Sequence, residues 1–80
     1  MHAELFSLVD ATNEAKVFAW GIEIVTSDDQ EAVIYRRDPD SGQATFGKHL
    51  SAEAARARWS CVTPLRVVWE SQRAPTLSPN

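Results

Sequence analysis

The run Asp38-Pro39-Asp40-Ser41-Gly42 constrains this chain more than any other stretch. Proline presets φ for the second position of a turn, aspartate tolerates the third, and glycine takes the positive φ that other residues resist. Between two alternating segments, such a loop joins antiparallel strands by a type I turn and a glycine bulge. The flanks alternate as required. Over residues 32–37, Val33, Tyr35 and Arg37 interleave with Ile34 and Arg36; over 43–48, Ala44 and Phe46 share one apolar side.

A helix follows directly. Ser51 reads as an N-cap, and Glu53 sits in the first turn, where the helix dipole favours a negative charge. Ala52, Ala55, Trp59 and Val62 fall on one helical stripe, Arg56 and Arg58 flank it, and Cys61 lies on the other side. Pro64 stops the helix. Small alanines let a helix lie close on a sheet, with Trp59 filling the wider gap near its end.

Ahead of the hairpin, residues 4–9 (Glu-Leu-Phe-Ser-Leu-Val) fit either a strand or a helical turn, and a strand is the favoured reading. Residues 16–26 form the longest strand candidate. Phe18, Trp20, Ile22 and Ile24 recur at period two, which marks them as the core face. Val17, Ala19, Gly21, Glu23 and Val25 lie on the other face, small or charged as suits solvent or a partner. Gly21 in mid-strand signals a bulge or a close backbone approach. Residues 65–70 read as a last strand, with Leu65, Val67 and Trp69 on one side. The expected fold is α+β: an antiparallel meander of three to four strands, one helix packed on one face, and a short final strand. Residues 1–70 form a single domain, and 71–80, with Pro75 and Pro79, read as a flexible C-terminal tail.

Eighty residues bury roughly 60% of their unfolded surface, so one core gives marginal stability. Cys61 is the only cysteine, which excludes an internal disulfide, and two histidines cannot complete a zinc site without carboxylates. Self-association is the support that remains, and a homodimer is the slightly favoured state. No apolar run approaches the ~20 residues that span a bilayer, so no membrane partner is expected. Met1-His2-Ala3-Glu4 lacks a basic region and an apolar signal core, which points to the cytoplasm.

The net charge of −3 argues against a general binder of nucleic acid. It is unevenly divided: residues 1–31 carry seven acidic residues against Lys16 alone, while basic residues exceed acidic ones over 32–80. Arg36, Arg37, Lys48, Arg56 and Arg58, near Tyr35, are the candidate nucleic-acid contacts, since basic groups beside an aromatic suit a phosphate backbone and a stacked base. His49 and Cys61 are the natural catalytic suspects, but a nucleophile needs its base within hydrogen-bond reach, and twelve helical residues at 1.5 Å each separate them by about 18 Å. Asp38, Asp40 and Gly42 open like a calcium loop, yet His49 stands where that loop needs a bidentate glutamate. No phosphate loop or nucleophile elbow is present. No enzyme, cofactor or metal is therefore expected. The leading expectation is a small non-enzymatic interaction or regulatory domain, binding an unknown protein or itself through an uncovered sheet face or edge, with Trp69, Val25 and Glu23 as candidate interface residues. The alternative is a nucleic-acid-binding module built on the five cations.

Overall fold

A computed structural model describes residues 1–72 of the chain. The order is β1 (His2–Asp10), β2 (Asn13–Val25), β3 (Gln30–Arg37), β4 (Ala44–His49), α1 (Ala52–Trp59), β5 (Leu65–Trp69) and a 3-10 turn, Glu70–Gln72. All five strands form one antiparallel sheet in the order β4-β3-β2-β1-β5. The meander thus runs through four strands, one connection carries the helix, and β5 joins the same sheet beside β1. The segment at 4–9 is strand throughout. Of the tail expected over 71–80, Ser71 and Gln72 belong to the 3-10 turn, and residues 73–80 lie outside the described part.

The β3–β4 hairpin closes as its sequence dictates. The N–H of Gly42 donates to the Asp38 carbonyl at 2.8 Å, that of Asp38 donates to the Gln43 carbonyl at 2.8 Å, and Gly42 has φ of +75°. The Asp38 carboxylate accepts the N–H groups of Asp40 and Ser41, which holds its pKa below the ordinary carboxylate range. At the β1–β2 turn Asp10 accepts both the N–H and the hydroxyl of Thr12, with the same effect on its pKa.

Paired residues in an antiparallel ladder project to the same side, so the register assigns every side chain to a face. Phe6, Gly21, Ile34 and Gly47 form one row; Leu8 and Ala19, and Glu23, Ala32 and His49, form others on that side. Phe6, Leu8, Ala19, Ala32 and Ile34 are buried in one cluster with Ala52 and Ala55 of α1 and Leu65 of β5. This is the core face. It reverses the expectation for β2: the small residues Ala19 and Gly21 occupy the core face, and the large Trp20, Ile22 and Ile24 occupy the opposite one. Phe18 departs from that large set. A bulge pairs Leu8 with Ala19 and Val9 with Val17, leaving Phe18 as the extra residue, and its ring meets Trp59 at 5.8 Å.

Gly21 explains why a small residue is required there. A Cβ on it would lie 2.8 and 2.9 Å from Cε1 and Cε2 of the fully buried Phe6. The phenyl ring fills the space above the glycine, and Trp69 closes it from β5 at a centroid distance of 5.5 Å.

The helix starts where expected. Ser51 accepts the Ala54 N–H at 3.0 Å, and the Glu23 carboxylate accepts the Ala52 N–H at 3.0 Å. Two of the unpaired N–H groups of the first turn are thereby satisfied, one by a negative charge reaching over from β2. The helix ends earlier than Pro64 would impose. The Ser60 hydroxyl donates to the Arg56 carbonyl at 2.6 Å, and the chain turns so that the Val62 N–H reaches the Trp59 carbonyl. Val62, expected on the buried stripe, is exposed.

Candidate functional site

The sheet face opposite the core cluster carries the molecule's main concentration of exposed apolar side chains. Ser7, Trp20, Tyr35 and Phe46 form one row across β1–β4, and Leu5, Ile22, Val33 and Lys48 form the next. Leu5 is 56%, Trp20 48% and Phe46 72% exposed, while Ile22, Ile24, Val33 and Tyr35 are half-buried. The Tyr35 and Phe46 rings meet at 5.2 Å, which fixes both on this face. An open, shallow apolar depression runs between Leu5, Trp20, Ile22, Val33, Tyr35 and Phe46.

An antiparallel sheet that leaves one face to water ordinarily alternates apolar inward with polar outward. Here the outward residues of β2 are larger and more apolar than the inward ones. Single exposed apolar side chains are ordinary, but contiguous rows of them mark sites of association.

The charged groups around this face are largely paired. Lys48 lies 3.2 Å from the Glu31 carboxylate, and Arg66 lies 3.2 Å from that of Glu14. Arg37 donates to the Tyr35 hydroxyl at 3.1 Å and to the Gly42 carbonyl at 2.8 Å. The face is therefore apolar at its centre and close to neutral at its rim.

The interface residues expected from the sequence fall on the other side. Trp69 packs against Phe6 at the core face, the two rings tilted at 59°. Glu23 caps the helix and accepts a hydrogen bond from Gln30 at 3.2 Å. Val25, two residues on, shares the side of Glu23 at the end of β2, paired with His2 and Gln30. Trp20, given to the core by its period, takes the exposed position that was assigned to Trp69. The missed residues, Leu5, Trp20 and Phe46, carried a signal in their size and spacing, but spacing does not say which face is covered.

The five cations are not brought into one patch. Arg36 and Arg37 alternate across the sheet and so point to opposite faces. The Arg36 guanidinium carbon lies 4.3 Å from the centre of the Phe18 ring, and its buried Nε makes no hydrogen bond. Lys48 is engaged by Glu31. Arg56 is engaged by Glu53 at 2.7 Å, which lowers the glutamate's pKa and raises the arginine's. Arg58 is exposed on the helix.

The catalytic suspects are also apart in their contacts. The Trp59 indole N–H donates to His49 Nε2 at 3.3 Å, and the exposed Cys61 thiol donates to the Arg58 carbonyl. Among the described residues no group of three or more His, Cys, Asp or Glu side chains is placed to hold a metal ion, and no helix is long and apolar enough to cross a membrane. A cleft at the hairpin end of the core, lined by Asp10, Lys16, Phe18, Arg36, Arg37 and Thr63, has mixed charge, and the Asp10 carboxylate there is already engaged by Thr12.

No protein-family model, curated protein or solved structure matches this chain.

Proposed function

We propose that this chain is a small, non-enzymatic interaction domain of the cytoplasm, in which the helix covers one face of the sheet and a protein partner covers the other. The observation that carries this reading is the pair of rows Trp20–Tyr35–Phe46 and Leu5–Ile22–Val33, apolar residues standing where an exposed sheet face is normally polar. Trp20, Tyr35 and Phe46 supply the rigid aromatic anchors that dominate interface energetics. The pairing of Lys48 with Glu31 and of Arg66 with Glu14 favours a protein over a nucleic acid, because a phosphate backbone calls for unpaired cations along its track.

The test places a photo-crosslinking amino acid at position 46 and, as a control, at Arg58 on the helix. Illumination in the source cell yields protein adducts from position 46 that Trp20→Ser and Leu5→Ser each abolish, and none from position 58. Adducts that survive both substitutions, or that disappear on nuclease treatment, would refute the reading; the latter result would favour base stacking on the aromatic row.

A further inference from the structure

We infer that the occupant of this face is a second copy of the chain, docked face to face about a two-fold axis to make a two-sheet sandwich with a helix on each outer side. This deepens the reading just given and rests on it.

Area is the first argument. Large side chains present ~150–250 Å² each, so the exposed parts of Leu5, Trp20 and Phe46 come to roughly 350 Å². The half-buried Ile22, Ile24, Val33 and Tyr35 bring the apolar patch to roughly 500 Å², near the upper end of what a monomer exposes. A standard interface buries about 800 Å² per partner, and homodimer interfaces are about 65% apolar. That requires about 520 Å² of apolar surface from each copy, which this patch matches closely when all of it is covered.

Charge is the second. A two-fold contact sets each face against itself, so a face with one dominant sign repels its own copy. The chain as a whole carries −3, but the Glu31–Lys48 and Glu14–Arg66 pairs leave this face close to neutral. Its centre has no charged side chain in the Ser7–Trp20–Tyr35–Phe46 row. Two such faces meet without bringing like charges together in bulk.

Geometry is the third. Sheets stack at about 10 Å with interdigitating side chains, so a second copy of this sheet matches the two apolar rows that run across β1–β4.

The experiment is sedimentation velocity with light scattering on the full 80-residue chain, from micromolar to millimolar concentration. The expected species has twice the mass of 8.9 kDa. Phe46→Glu, at a position too exposed to disturb the core, raises the dimer Kd by at least ~30-fold, as truncation of an anchor does. Leu5→Ser acts in the same direction, and Arg58→Glu leaves the Kd unchanged. Circular dichroism identifies any variant that has unfolded. A wild-type chain that stays monomeric throughout overturns the proposal, and crosslinks from position 46 to a different protein would then keep the interaction reading alive. A dimer that survives Phe46→Glu and Leu5→Ser also overturns it, since association then uses another surface, such as the free edge of β4.

Discussion

Gly21→Ala is the sharpest test of the core. In an ordinary strand the change is favourable: alanine lowers the entropy of the unfolded chain, which stabilises by about 0.4–1 kcal/mol. At Gly21 the new methyl would meet the Phe6 ring at 2.8–2.9 Å from two of its carbons. The ring is fully buried and braced by Trp69, so it cannot swing aside without displacing β5. Overpacking of this kind costs about 1–3 kcal/mol. The net expectation is a loss of about 1–2 kcal/mol, a large part of the ~3–5 kcal/mol that a core of this size supplies. Urea unfolding followed by tryptophan fluorescence measures it. Phe6→Leu costs stability alone but relieves the clash, so the double variant recovers at least ~1 kcal/mol relative to additivity. A neutral or stabilising Gly21→Ala, or an additive cycle, would show that the ring does not occupy the space above the glycine.

Other outcomes follow from single contacts. Glu23→Ala removes the charge that accepts the first helical N–H and costs roughly 1 kcal/mol, lowering Tm by about 4–8 °C in thermal unfolding. Trp59→Phe keeps the ring against Phe18 but loses the hydrogen bond to His49, a cost of about 0.5–1.5 kcal/mol by the same assay. Asp10, Asp38 and Glu53 all have pKa values lowered by folding, so each contributes stability above its unfolded pKa that is lost as pH falls through its folded value. An acid titration of the folded state therefore shows stability declining below the ordinary carboxylate range, and Asp38→Asn flattens that decline.

Features set by neighbours in sequence were legible before the structure. The Asp38–Gly42 turn and the Ser51 cap each depend on a few adjacent groups, and each stands as the residues imply, whereas the tight packing at Gly21 comes from the Phe6 ring across the sheet. The face assignment failed because period two separates the sides of a strand without saying which one is covered. Size was the misleading cue: Phe18, Trp20, Ile22 and Ile24 outweigh Ala19, Gly21 and Glu23, yet α1 brings Ala52 and Ala55 into the cluster and needs small residues beneath it. The bulge at Phe18 added a second error, since one extra residue transfers a side chain from one face to the other. The helix ends at Trp59, where Ser60 bonds back to the Arg56 carbonyl and the Val62 N–H turns to the Trp59 carbonyl, contacts that leave no mark in the apolar stripe. The face error hides Trp20; Trp69 is singled out by a different cue, the position of β5 at a sheet edge, which it does occupy, although its ring turns onto Phe6 at the core face.

The same inversion links stability to association. Phe6, Leu8, Ile34 and Leu65 are the large members of the central cluster, Ala19, Ala32, Ala52 and Ala55 fill it out, and Phe18, Trp59, Val67 and Trp69 pack at its margin. A second set of large apolar side chains, Leu5, Trp20, Ile22, Ile24, Val33 and Phe46, stands on the opposite face, outside this small core. Covering that face with a second copy therefore stabilises the fold by mass action, by about 2.7 kcal/mol when the concentration is a hundred times Kd. For a domain of this size that corresponds to a rise in Tm of about 10–20 °C. Scanning calorimetry over a wide range of protein concentration should show the midpoint climbing for the wild type and staying flat for Phe46→Glu. The two curves should converge at low concentration, because Phe46 is too exposed to support the monomer's own core. A wild-type midpoint independent of concentration would separate the exposed rows from the fold's stability and refute the coupling.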